Sequence, residues 1–155
     1  MIAAFTDEEP VEDLRGVHDV GAEEDGSPDT PDPWMVEPPG PGEWMDIGPN
    51  GVTLHAKWDA QAYVRYELWT APPPRDPTWQ KTWTGEVHLT TGRIASVSSS
   101  EGFVDHGTPF DLGRPATTWN LRVRWKPLVN AREPGFPDDA YRADLFTLQF
   151  WPPQG

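Results

Sequence analysis

The chain has no cysteine and no long apolar run. Without cysteine it has no disulfide, thiolate nucleophile or thiolate metal ligand, and this composition fits a reducing compartment. No stretch approaches the roughly 18 uninterrupted apolar residues of a membrane span. The first residues reach Asp7 before they could form the apolar part of a signal peptide. We therefore expect a soluble, cytoplasmic protein.

Basic residues are almost missing from the first third of the chain. Residues 1–48 hold 14 acidic side chains and one basic side chain, whereas the remainder holds 11 of each sign, so the net charge of −13 belongs to the first third. The same segment is rich in Pro and Gly, a composition that buries little apolar surface. We predict a charge-balanced domain over residues 48–155 and an acidic Pro/Gly-rich arm over residues 1–47 that is able to pack on this domain.

The second segment alternates apolar and polar residues with period two, which is typical of half-buried strands. Strands are predicted over 52–58 and 62–69, joined as a hairpin, over 119–126, and over 141–151. The outward side of the 119–126 strand carries Arg122, Arg124 and Lys126, a cationic row that we expect to receive the acidic arm.

Turn signals separate these strands. Thr91-Gly92 indicates a tight turn between two paired strands, and residues 103–113 are predicted to be mostly loop. No segment shows a convincing helical period. The pattern predicts an all-β fold, an antiparallel β-sandwich of about six to eight strands.

The motifs of catalysis are weak. Asp105 and His106 lie in one predicted loop, with Asp111 nearby, but the His and carboxylate spacing of zinc or iron sites is missing. No nucleophile elbow, phosphate-binding loop or dinucleotide fingerprint is present. We expect no enzymatic activity, no metal and no cofactor, and keep a small enzyme built on the Asp105-His106 loop as an alternative.

Tryptophan is abundant, with nine residues. Trp69 and Trp79 fall on outward faces or in loops, where Trp is enriched at binding hot spots. They support a protein-binding surface or, as a second alternative, a stacking platform in a β-sandwich that binds carbohydrate or another small ligand.

The order of sequence blocks over residues 48–151 resembles the competence protein J family. The likeness rests on Gly51-Val52-Thr53-Leu54, Val64-Arg65-Tyr66, Val87-His88-Leu89 before Thr91-Gly92-Arg93-Ile94, and Leu121-Arg122-Val123. Members of this family are small bacterial proteins regarded as inhibitors of a DNA-entry nuclease. The resemblance implies an inhibitory role and supplies no residue-level motif.

Together these observations predict a binding or inhibitory protein, of the nuclease-inhibitor or immunity type, that engages a basic protein partner such as a nuclease or toxin. An acidic field repels nucleic acid, so we expect no direct binding of DNA or RNA and no membrane association. The oligomeric state is left open. The residues predicted to contact the partner are Asp7, Glu8, Glu9, Glu12, Asp13, Glu23, Glu24, Asp25, Trp69 and Trp79.

Overall fold

The computed structural model describes residues 2–5, 9–11, 14–20, 44–48, 50–55, 62–100, 103–128 and 143–153. These residues form strands and connecting turns, and no helix among them is long and apolar enough to cross a membrane. In chain order the strands are β1 (Ile2–Phe5), β2 (Glu9–Val11), β3 (Leu14–Asp19), β4 (Met45–Gly48), β5 (Gly51–Leu54), β6 (Ala62–Trp69), β7 (Lys81–Leu89), β8 (Arg93–Ser100), β9 (Phe103–His106), β10 (Phe110–Asp111), β11 (Thr117–Leu128) and β12 (Ala143–Trp151).

The strands form two sheets of six. The first sheet has the order β1-β6-β12-β11-β7, with β2 also paired to β6; the second has the order β10-β8-β3-β5-β4, with β9 paired to β8. The chain divides into two compact units, one of residues Met1–Glu12, Lys57–Glu86 and Trp119–Gly155, the other of Asp13–Ala56 and Val87–Thr118. The predicted class, an all-β protein of the sandwich type, is confirmed, with more strands than expected.

The centre of the first sheet is β12, which pairs antiparallel with β11 and parallel with β6. Its predicted apolar face is confirmed, because Phe146, Leu148 and Phe150 are all buried. The opposite face is buried as well, including Thr147 and Gln149. β12 has a neighbouring strand on each edge, and side chains on both of its faces are buried. Period-two alternation predicts one buried and one exposed face, so it did not predict burial of the second face.

Both predicted hairpins are wrong. β5 pairs with β3 and β4 in the second sheet, whereas β6 pairs with β12, β1 and β2 in the first. Likewise β7 belongs to the first sheet, and β8, beyond the Thr91-Gly92 turn, belongs to the second. Alternation identifies a strand and its apolar face, but it does not identify the strand's partner, and here the chain changes sheet at both connections.

The region 103–113, predicted to be mostly loop, contains the short strands β9 and β10, both paired with β8. Part of the predicted arm also lies within the sheets. β1 and β2 pair with β6 along one edge of the first sheet, and β3 lies between β5 and β8 in the second. The arm's most acidic and Pro-rich part, residues 21–43, lies outside the described residues.

The second sheet depends on two features of β3. At Gly16 a Cβ atom would overlap the carbonyl oxygen of Val52 in β5, so only glycine permits this approach of the two backbones. At the end of β3 the buried Asp19 carboxylate accepts hydrogen bonds from the backbone N–H groups of Thr91 and Gly92 at 2.7 and 3.0 Å. Asp19 thereby fixes the turn that precedes β8.

Candidate functional site

One face of the first sheet, in the first unit, carries a layer of polar and aromatic side chains. On β11 the apolar residues Leu121 and Val123 are buried on one face, and Arg122, Arg124 and Lys126 alternate onto the other. The strand register places Arg122 beside Gln149 of β12, and Gln149 beside Glu67 of β6. We call this layer the polar face.

Glu67 is the acceptor at one end of the polar face. One oxygen, Oε1, accepts hydrogen bonds from Trp69 Nε1 and Gln149 Nε2, each at 2.9 Å, and the other, Oε2, pairs with Arg65 Nε at 2.9 Å. The Arg65 guanidinium also lies 4.7 Å from the centre of the Phe5 ring. Because Glu67 is 7% exposed, these three donors supply the hydrogen bonds that a buried carboxylate requires.

Arg122 fastens the connection between β6 and β7. Its Nη1 donates to the carbonyl oxygens of Pro73 at 2.9 Å and Pro74 at 3.3 Å, and its guanidinium lies over the Trp151 ring at 5.6 Å. Burial lowers the pKa of Arg122, and the nearby Arg75 lowers it further. The guanidinium therefore has neutral carbonyl partners and a like charge beside it.

Arg124 and Lys126 both lie against the ring of Trp79, which belongs to the same connection. Their cationic groups lie 4.5 and 4.4 Å from the centre of the indole ring. Arg124 Nη1 also approaches the Asp76 carboxylate at 3.9 Å, the outer limit of an ion pair. The hydrogen bonds of that carboxylate come instead from the Thr78 backbone and hydroxyl, at 2.9 and 2.6 Å, and they are the largest cause of its lowered pKa.

Three buried polar atoms on this face have no hydrogen-bond partner among the described residues: Arg124 Nε, Thr147 Oγ1 and Gln149 Oε1. Arg124 and Thr147 are register partners, and Gln149 is two residues further along β12 on the same face. The set combines a charged donor, a hydroxyl and a carbonyl acceptor. Most buried polar atoms have a partner, so three neighbouring exceptions identify this part of the face as unusual.

The predicted partner-binding residues divide into two groups. Trp69 and Trp79 both lie in the first unit and contact the polar face, where they are half-buried. Glu9 belongs to β2, but its side chain is outside the description. The other acidic calls also lie outside the described residues: Asp7, Glu8, Glu12, Asp13, Glu23, Glu24 and Asp25.

The cationic row was predicted to face outward and to receive the acidic arm, but the structure covers part of it with the connection between β6 and β7. Arg122 is 9% exposed, and residues 73–79 contact Arg122 and Arg124 from the same chain. Sequence reasoning also missed Glu67 and Gln149. Arg65, Glu67 and Trp69 are two residues apart on one strand, so their spacing places them on one face. Gln149 of β12 joins them only because β6 and β12 pair in parallel, which the spacing does not predict.

The alternative enzymatic site rests on residues that the structure describes in part. His106 and Asp105 lie in β9, but their side chains are outside the description. Asp111 is exposed and its Oδ1 accepts a hydrogen bond from the Gly113 backbone at 2.8 Å, as in an ordinary turn. Among the described residues no group of three His, Cys, Asp or Glu side chains could hold a metal ion.

Comparison with known proteins bears on the fold. No family model matches the chain, and no curated protein matches its sequence. The structure is similar to the crystal structure of ComJ from Bacillus subtilis, the inhibitor of the DNA-degrading activity of NucA, with 14% identity, 99% coverage of each chain and a TM-score of 0.62. A second similar structure is the crocagin biosynthetic gene J product, with 17% identity, 97% coverage of each chain and a TM-score of 0.47. The resemblance to competence protein J inferred from the sequence is confirmed at the level of the fold.

Proposed function

We propose that this chain is an inhibitory binding protein whose target is a nuclease or another enzyme with a basic surface. The observation that carries the proposal is the similarity to ComJ along 99% of both chains. A fold hosts many functions, so the similarity by itself supports a role and identifies no target.

The charge distribution of the chain supports a target with a basic surface. A nuclease cleft that accepts phosphates is positively charged, and an acidic segment is complementary to it. The acidic residues are concentrated in the first third of the chain. Opposite charge raises association rates by about 10- to 1,000-fold at low salt, and this gain falls as salt rises.

The direct test is inhibition of DNA degradation. Nuclease activity in an extract of the native host is measured on linear DNA, with and without the purified full-length chain. We expect the chain to slow degradation and to remain bound to the responsible enzyme during purification. If the chain, at an excess over total nuclease, leaves every DNA-degrading activity unchanged, a nuclease is not its target.

The contribution of the acidic segment requires substitutions and not truncation. Removal of residues 1–47 would also remove β1, β2, β3 and three of the four residues of β4, which are strands of the two sheets. The variant carries Glu23→Gln and Glu24→Gln; its matched control carries Glu86→Gln and Asp111→Asn, at exposed residues outside the acidic segment. We expect weaker inhibition from the first variant alone, with the difference decreasing at high salt. Equal inhibition by both variants would mean that the acidic segment does not contribute to inhibition.

A further inference from the structure

The two edges of the first sheet differ in their protection against further strand pairing. At one edge, β1 and β2 have four and three residues, the register of β1 shifts between Ile2 and Ala4, and β2 contains Pro10. Short strands, bulges and proline are features that natural sheets use to keep an edge from pairing with another chain. At the other edge, β7 has nine residues and no proline. Among the described strands only β11 pairs with it, so β7 offers the longer and less protected edge.

The accessible part of β7 is residues 81–86. Four of its side chains are exposed: Lys81, Thr82, Thr84 and Glu86. Beyond this segment the backbone is already engaged, because the His88 carbonyl accepts a hydrogen bond from the Asn50 N–H at 3.0 Å. The accessible segment has the length of an ordinary strand, which is enough for a second strand to pair with it.

The middle of this segment is suited to strand pairing. Residues 82–85 carry no charge, and they include two threonines and Trp83, residue types that favour strands. Glycine weakens a strand, but the Trp83 ring lies over Gly85, where a Cβ atom would be 2.5 Å from two carbon atoms of that ring. An aromatic side chain that covers a glycine of an edge strand stabilises the strand. Contacts within the chain therefore hold this edge in strand conformation.

The charges at the ends of the segment favour a second copy of the chain as the partner. Lys81 lies at one end and Glu86 at the other, and both are exposed. When two identical strands pair antiparallel, the Lys81 end of each lies beside the Glu86 end of the other, whereas parallel pairing would place like charges together. The segment is therefore complementary to itself in the antiparallel arrangement, which is that of a two-fold dimer.

We propose that β7 is a dimerisation edge, at which two copies of the chain pair their β7 strands antiparallel and continue the first sheet from one copy into the other. A two-fold axis at Thr84 is the register that places each Trp83 opposite Gly85 of the other copy, where the glycine leaves space for the ring. The same register places Thr82 opposite Glu86 of the other copy. The paired segment is smaller than the roughly 20–30 residues per side of a standard interface, so we expect a weak dimer. This inference does not depend on the proposed inhibitory role.

The net charge of −13 opposes association, but it lies away from β7 in the sequence. The charge belongs to residues 1–48, whereas residues 49–155, which include β7, hold 11 charged side chains of each sign. Repulsion between the acidic segments of two copies is screened over about 8 Å at physiological salt, and over less at higher salt. We therefore expect the dimer to become tighter as salt rises.

The experiment is sedimentation equilibrium of the full-length chain at concentrations from about 1 µM to 1 mM, the range in which a weak dimer dissociates. Thr82→Glu places a carboxylate opposite Glu86 of the other copy, twice in each dimer. We expect it to raise the dissociation constant of the dimer by about 2- to 30-fold. Thr82→Lys places an opposite charge there and should lower the dissociation constant by a similar factor.

Two controls separate the register from overall charge. Thr108→Glu and Thr108→Lys make the same changes of charge at an exposed threonine of the second unit, and they should leave the dissociation constant unchanged. Thr82→Glu combined with Glu86→Lys reverses the charges of the facing pair. Because the pair is then again attractive, this double variant should recover the affinity that Thr82→Glu loses.

Several outcomes would overturn the proposal. A chain that stays monomeric up to about 1 mM, at low and at high salt, has no such dimer. A dimer whose dissociation constant is the same in both Thr82 variants would have its contact outside β7. Equal effects of the Thr82 and Thr108 variants would mean that association responds only to overall charge. A monomer that binds an extended peptide of alternating Thr and Lys, and loses this binding in Thr82→Lys, would assign the edge to a strand of another protein.

Discussion

Replacing Glu67 by glutamine tests whether the hydrogen-bond network of the polar face stabilises the first unit. The substitution preserves size and shape, but it exchanges one acceptor oxygen for an N–H₂ donor. The amide oxygen can still accept from Trp69 Nε1 and Gln149 Nε2, which share Oε1 in the native chain. The new amide group then faces Arg65 Nε, a donor at 2.9 Å from the oxygen it replaces.

Glu67→Gln should lower the free energy of unfolding by the contribution of one hydrogen bond to a charged group, about 1.5–3 kcal/mol. Because the Arg65 side chain is 18% exposed, solvent compensates part of this loss, and we expect about 2 kcal/mol. Glu67→Leu removes the acceptor for all three donors and leaves the buried Gln149 amide without its partner. We expect about 4 kcal/mol for that variant.

The assay is urea unfolding followed by far-ultraviolet circular dichroism and by tryptophan fluorescence, with the free energy of unfolding obtained from the midpoint and slope. The control is Glu86→Gln, the same chemical change at an exposed position of β7, with an expected effect within about 0.5 kcal/mol. If Glu67→Gln unfolds at the same urea concentration as Glu86→Gln, the network does not contribute stability and the reasoning is wrong.

Three further predictions concern backbone packing, a buried carboxylate and pH. Gly16→Ala should destabilise the chain by about 1–3 kcal/mol in urea unfolding, because a Cβ there overlaps the backbone of β5, whereas Gly48→Ala, with open space around it, should stay within about 0.5 kcal/mol. Asp19→Ala should cost about 2–4 kcal/mol by the same measurement, since it leaves the donors of the turn before β8 unpaired. The pKa of Asp76 is lowered in the folded chain, so its contribution is present above its ordinary pKa of 3.8 and is lost as the pH falls through the lowered value. The Thr78 N–H donates to Asp76 at 2.9 Å, so an acid titration of its amide NMR signal should show a step below pH 3.8 that Asp76→Asn lacks. A step of equal size in that variant would contradict the assignment.

The sequence by itself determined where the longer strands after residue 48 form and which side of each strand is apolar. Period two in residues 119–126 and 143–151 follows from the backbone pleat, which sends neighbouring side chains to opposite faces. The same alternation placed Arg122, Arg124 and Lys126 together on one face. These are local consequences of strand geometry, and the structure agrees with them.

Only the tertiary structure decided which strands pair and what covers each face. The parallel pairing of β6 with β12 brings Gln149 to Glu67, and the residues are 82 apart in sequence. The connection after β6 brings Pro73 to Arg122, 49 residues away, and so covers part of a row that alternation predicted to face outward. Local periodicity carries no information about such distant partners, because they are selected by the combined burial and hydrogen bonding of the whole sheet.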